Sequence, residues 1–360
     1  MFIISPKWIY FSNRRIESGK SLLINGSVIA DILTDNKIQK KYKETPRIYY
    51  KDHLMMPTFS ECFLDINDCI SQEMYTDKLN SLFSNGVSKV QIVSDNYENF
   101  LKYDKPSNMN ISYKITLNGS KCGFHDVKKI LKTLDFYKSD PTKLFSINLI
   151  NVNKFKKDLL TKIASICSEL NLSIDIHLSE ICELSNEHIN NIFDFWDEIN
   201  LTNNFTVHNF LQSNDFVQKH INKFNTNIFI KYSDLHDAEN MKFLLSLIKN
   251  KYKCVLISEC ENTYKFYDVL KCMNLLIDRD GTFDKHSIIN SVTSDTSQFF
   301  NETSVSESID KGSLASFNLF NIRSKRLLVN DNYFPLLSDL DNASLTNVWS
   351  SGEAITIGNE

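Results

Sequence analysis

Glycine is scarce: the 360-residue chain holds nine, where an average usage of roughly 7% would supply far more. Gly19, Gly26, Gly312, Gly352 and Gly358 lie near the two ends, and only Gly86, Gly119, Gly123 and Gly281 fall in the long middle. Catalytic loops use glycine where backbone approaches a ligand or turns to positive φ. The middle therefore reads as poor in such loops, unless a general bias toward Asn, Lys and Ile explains the shortage. No run approaches the ~20 apolar residues that a membrane helix needs. The apolar start, Met1 to Phe11, lacks a basic lead-in and a small-residue cleavage pattern, so it reads as a strand. The eight cysteines form no C-x-x-C pair, and the expectation is reduced thiols in a cytoplasmic protein. No strand runs into G-x-G-x-x-G or a P-loop, which removes the common nucleotide-binding readings. Excess charge is missing too. A net charge of -4 and a pI near 6.1 leave no electrostatic footprint for nucleic acid or acidic lipid. The densest basic cluster, Lys37 to Lys43, reads as a solvated turn.

What is present is an ordinary globular composition, 42% hydrophobic and 23% charged, with length enough for a large core. The middle alternates strand-like and helix-like segments. Strand-like runs fall at about 55–65, 88–94, 110–117, 144–151, 172–178, 204–209, 227–232 and 253–259. Helix-like segments fall at 156–170, 185–200, 213–224 and 237–250; in the first, Leu159, Leu160, Ile163, Ile166, Cys167 and Leu170 make one apolar stripe. Eight such units predict an α/β fold, a (β/α)8 TIM barrel, and not an open doubly wound sheet. The ends differ. Trp8 to Phe11, Ser21 to Ile24 and Ser27 to Ala30 read as short strands, with Asn25-Gly26 as a hairpin turn. Ser316 to Phe320, Leu327 to Val329 and Asn347 to Trp349 repeat the style. The expected division is a small β-sandwich from residues 1–53 and 310–360 beside a barrel at 54–309.

Five segments carry a family resemblance. They are Ser21 to Asp31, Leu54 to Asp65, Ile174-Asp-Ile-His177-Leu-Ser-Glu180, Phe205-Thr-Val-His208-Asn209, and Lys311 to Ser316 with the later Val348 to Gly352. In order and spacing the chain resembles the amidohydrolase superfamily, in its deaminase and chlorohydrolase branch, over nearly its whole length. The resemblance implies a hydrolase of carbon–nitrogen bonds acting on a small cyclic, purine-like substrate. Such enzymes use a divalent metal to generate hydroxide at neutral pH. Imidazole and carboxylate ligands suit zinc or iron, and a nearby carboxylate moves the proton to the leaving amine. By the same resemblance His177 matches the metal ligand of strand five, Glu180 the proton shuttle, and His208 the histidine of strand six. The acidic ligand ending strand eight is Glu259 or Asp280; strand counting favours Glu259. The bland reading of each is a structural residue at a strand end.

The family's first strand ends in His-x-His, and here those positions are Phe63 and Asp65. No His-x-His occurs anywhere in the chain. Phe63 cannot bind metal. Asp65 can, which leaves Asp65, His177 and Glu259 as a residual set for one weakly bound divalent ion, or for none. The substrate loop expected near Ile150 to Asn153 is not recognisable. His53, His125, His188, His220, His236 and His286 read as surface residues. Two function classes stay open: a hydrolase with an altered site using Glu180 and His208, and an inactive relative that binds a small ligand or a partner protein. The expected partner is a small molecule, with neither nucleic acid nor membrane, and a homodimer stays open.

Overall fold

The computed structural model of the chain describes residues 1–11, 15–96, 98–104, 106–123, 127, 145–179, 181–201, 205–213, 215–224, 226–250, 252–257, 289–293, 296, 300, 308–322, 340 and 344–357. The N-terminal segment supplies β1 (Phe2–Phe11), β2 (Arg15–Ser18), β3 (Lys20–Asn25), β4 (Val28–Thr34), the short helix α1 (Asp35–Lys41) and β5 (Arg47–Pro57). The basic cluster thus begins as a helix and not a turn, with Lys37 bonded to Asp31. The barrel strands are β6 (Phe59–Asp65), β7 (Val87–Ser94), β8 (Asn110–Asn118), β9 (Phe145–Ile150), β10 (Ile174–His177), β11 (Phe205–His208), β12 (Asn227–Lys231) and β13 (Lys253–Ile257). Helices between them include α2 (Gln72–Ser84), α3 (Asn99–Lys102), α4 (Lys157–Leu170), α5 (Asn186–Glu198), α6 (Asp215–Ile221) and α7 (Ala238–Lys249). The C-terminal strands are β14 (Phe317–Asn321), β15 (Leu345–Ser350) and β16 (Glu353–Thr356).

Strands β6 to β13 pair in parallel and in chain order, each with the next. This is a nearly closed (β/α)8 barrel. Its seam between β13 and β6 is bridged by a later segment. The Leu256 N–H donates to the Ser291 carbonyl at 3.2 Å, and the Ser60 N–H donates to the Val292 carbonyl at 2.9 Å. Two backbone edges are thereby satisfied without direct pairing. Among the described residues, both ends of the chain join in one separate mixed sheet, ordered β16-β15-β14-β5-β1-β3-β4, with β2 beside β1.

The helices pack by their apolar stripes. On α4, Leu159, Leu160, Ile163, Ala164 and Cys167 are buried, and Asn171 ends the helix at φ 52°. Asn151, Asn200 and Asn209 also take positive φ. Asparagine tolerates the left-handed region because its side chain bonds the local backbone. Asparagine thus does in the middle of this chain much of what glycine does elsewhere, which accounts for part of the glycine shortage.

Gly86 is a position where glycine itself is required. It lies at φ +86°, and a Cβ there would stand 2.5 Å from Asn318 Nδ2. That amide, on β14, donates to the Gly86 carbonyl at 3.0 Å and ties the terminal sheet to the start of β7. Gly86→Ala is expected to cost about 1–3 kcal/mol through strain and the broken contact. Adding Asn318→Gly should relieve the clash but not the backbone strain; thermal unfolding of both variants checks this.

Candidate active site at the barrel centre

Side chains alternate along a strand, so residues two apart share a face. On β8, Ile111, Tyr113, Ile115 and Leu117 pack outward in the main core. Ser112, Lys114 and Thr116 therefore point into the barrel. By the same alternation β9 turns Ser146 and Asn148 inward, β10 turns Asp175 and His177, and β11 turns Thr206 and His208. The register sets Asp175 beside Thr206 and His177 beside His208. The interior of such barrels is usually packed with branched apolar side chains. Here only one side fits that pattern, where Cys62, Phe63, Val93, Phe229, Val255, Ile257 and Phe300 cluster. The other side is polar and almost completely buried.

The centre of this polar side is an ion pair. Lys114 Nζ donates to Asp175 Oδ2, and both side chains have 0% exposure. The same oxygen accepts from His208 Nε2 at 3.1 Å, and His208 is equally enclosed. Lys114 Nζ also lies 3.5 Å from the Cys62 carbonyl oxygen. Its ammonium sits 4.7 Å from the Phe229 ring centre and 5.5 Å from that of Phe63, a cation–π setting. The two imidazoles stack at 4.2 Å with 6° between their planes. The Phe63 ring meets His208 edge-on at 5.1 Å and His177 at 6.2 Å.

Protonation follows from these contacts. Burial, with Lys114 and Lys231 nearby, holds His208 well below the ordinary histidine range, so it is neutral. Burial also depresses His177, with His208 adding to the effect. Burial pushes the Asp175 carboxyl upward, and the adjacent Lys114 opposes it. Neutral His208 donates through Nε2, which leaves Nδ1 as a lone pair; among the described residues that buried atom has no hydrogen-bond partner. His177 Nε2 lies 2.9 Å from Asn148 Oδ1. The amide of Asn148 is oriented by donating to Thr116 Oγ1 at 3.1 Å, so His177 Nε2 is the donor.

A pH prediction follows from the histidine shifts. Each folded value lies below the ordinary 6.5. Below about pH 6.5 the unfolded chain takes protons that the folded chain refuses, so stability falls as pH falls toward the folded value. The slope is about 1.4 kcal/mol per pH unit for each histidine. The upward shift of Asp175 acts in the opposite direction and is present with or without His208. Wild type should therefore lose more stability than His208→Gln between about pH 6.5 and about pH 5.5. Equal slopes in denaturant titrations at the two pH values would refute this.

The site residues expected from the sequence fare differently. His177 and His208 come together with Phe63 beside them. Asp65 ends β6, but its Oδ1 accepts the Asn67 N–H at 2.8 Å in a local turn, and burial raises its carboxyl. Glu180, Glu259 and Asp280 lie outside the described residues, as do His125 and His286. His188 is exposed. His53 and His220 are not surface residues: both are partly buried. Burial lowers His53, and His220 stacks on Phe193 at 5.0 Å. Sequence reasoning missed Lys114, Asp175 and Asn148. A signal existed, because Asn110 to Asn118 alternates polar and apolar residues. A strand covered by helices on its apolar face must aim the other face into the barrel.

The barrel and its terminal sheet share their fold with solved deaminases and a chlorohydrolase. Neither a protein-family model nor a curated protein sequence matches the chain. Solved structures do. An adenosine deaminase from Xanthomonas campestris with bound zinc superimposes at TM-score 0.76 and 10% identity, covering 98% of this chain and 92% of its own. A guanine deaminase from C. acetobutylicum with bound guanine gives 0.74 and 12%, covering 98% and 99%. The atrazine chlorohydrolase of Arthrobacter aurescens, complexed with zinc, gives 0.74 and 11%, covering 99% and 95%. No helix among the described residues is long and apolar enough to cross a membrane.

Among the described residues, the side chains around His177 and His208 do not fit the zinc bound in these solved structures. Phe63 offers no donor atom. The carboxylate nearest the two histidines already holds an ammonium, which repels a second cation. Among the described residues no three His, Cys, Asp or Glu side chains converge on a metal position.

Proposed function

We propose that this deaminase-like hydrolase fold has lost metal-dependent carbon–nitrogen hydrolysis and serves as a binding protein for a small, cyclic, purine-like ligand. The observation that carries the reading is the buried Lys114–Asp175 pair beneath Phe63. An ammonium here pairs with Asp175 Oδ2 in place of a metal. His177 supports ligand binding. It is the partly exposed member of the cluster, and with Nε2 committed to Asn148 its Nδ1 lone pair is an acceptor for a ligand N–H. Asp65, also partly exposed at the end of β6, adds a second acceptor on the same end of the barrel.

A second reading is an altered hydrolase using Glu180 and His208. It is favoured by one contact: a carboxylate that holds an imidazole in a single tautomer, as Asp175 holds His208, is an arrangement for proton transfer. Its weakness is access, because His208 is fully enclosed.

Metal analysis of protein purified without added metal tests the main reading. Well below one metal per chain is expected, with no ammonia released from purine-like amines and a raised unfolding midpoint in the presence of the ligand that binds. Stoichiometric zinc that survives dialysis and disappears in His177→Ala would overturn it.

A further inference from the structure

We propose that the Lys114 ammonium is a resident cation, standing in for the metal as the positive charge at the centre of this barrel. The proposal rests on the loss of the metal-dependent chemistry and names what replaced it. Three observations carry it. The ammonium sits among the strands where the family resemblance places ligands, close to Phe63 on β6 and sharing Asp175 with His208 on β11. Two of its hydrogen-bond acceptors, the Asp175 carboxylate and the Cys62 carbonyl, are oxygen donors of the kind that a hard cation takes. The surroundings also favour a positive charge, since the faces of Phe63 and Phe229 lie within cation–π distance and the nearby histidines are neutral.

The charge balance is simple. One ammonium and one carboxylate give a neutral unit wherever the shared proton sits. A divalent ion brought against that pair would face the Lys114 ammonium in a water-poor interior, which is strongly unfavourable. With the lysine removed, Asp175 keeps its charge or takes up a proton, and the vacated space holds a carboxylate, a carbonyl oxygen and an imidazole close by. That set has an unmet demand for a cation. The lysine thus both stabilises the centre and excludes metal from it.

The test compares thermal unfolding of wild type, Lys114→Met and Lys114→Met/Asp175→Leu. Each is refolded in metal-free buffer and again with manganese or zinc present from refolding onward. Wild type is expected to be indifferent to the ions. Lys114→Met should unfold roughly 5 °C or more below wild type in metal-free buffer, and the ion should restore at least half of that shift in a saturable manner. The double variant, which lacks the carboxylate, should not respond. An unresponsive Lys114→Met would overturn the proposal, as would one that matches wild type without metal or fails to fold in either buffer. An equal response in the double variant would overturn it too, because the ion would then bind elsewhere. Zinc bound by wild type through His177 is a separate result that sinks the loss of metal chemistry itself.

Discussion

Asp175→Asn is expected to lower the unfolding free energy by about 3–5 kcal/mol at neutral pH, the usual loss when one partner of a buried ion pair is removed. The amide keeps the shape and one acceptor oxygen. It removes the charge that compensates Lys114, whose side chain has no exposure to solvent. It also weakens the bond that orients His208. Replacing both partners, as in Lys114→Met/Asp175→Leu, should return part of the loss, because no uncompensated charge stays buried while the His208 N–H loses its acceptor. Urea unfolding of wild type, the single variant and the double variant measures this. A loss below about 1 kcal/mol in Asp175→Asn would mean that the pair is held as two neutral groups sharing a proton. A double variant no better than the single would mean that the interior cannot repack without the pair.

The second large effect is expected at the junction of the two sheets. Phe320 lies on β14 of the terminal sheet, opposite Leu54 of β5. Its ring is completely buried, 6.2 Å from that of Phe59 at the base of the barrel. Phe320 belongs to the same continuous core as the barrel strands and helices. Phe320→Ala should therefore cost about 3–5 kcal/mol, the transfer term of a buried ring plus the cavity it leaves. Tyr49→Ala, at an exposed position on β5, should stay within about 0.5 kcal/mol. Chemical denaturation checks both. A Phe320→Ala loss no larger than that of Tyr49→Ala would show that the terminal sheet does not share its core with the barrel.

Much of the architecture was legible along the chain. All eight barrel strands fall on the runs read from apolar patterning, and β7, β8 and β9 match to within a residue at each end. The stripe on α4 and the Asn25-Gly26 turn between β3 and β4 are likewise local patterns that survive folding. Local signals of this kind record period and turn chemistry, which depend on residues a few positions apart. His177 and His208, which the family resemblance singled out, stand side by side, because strand ends of a parallel barrel share one mouth.

Partner choice was not legible. Leu54 to Asp65 reads as one strand, yet Leu54 to Pro57 pairs with β1 and β14 in the terminal sheet, while Phe59 onward pairs with β7 in the barrel. Pro57 marks where the strand breaks, but no local feature says which strands each half will pair with. Lys114 and Asp175 are 61 residues apart, on strands that are not neighbours, with β9 between them. Each read alone is a charged residue in a strand. Their meeting, and the neutral histidines it leaves, depend on barrel closure bringing inward faces within hydrogen-bond reach and stripping away water. The sequence by itself determined the order of strands and helices, the alternation of their faces and the absence of any His-x-His pair. Only the tertiary structure decided what fills the centre, because desolvation and charge compensation exist only once the strands enclose a common interior.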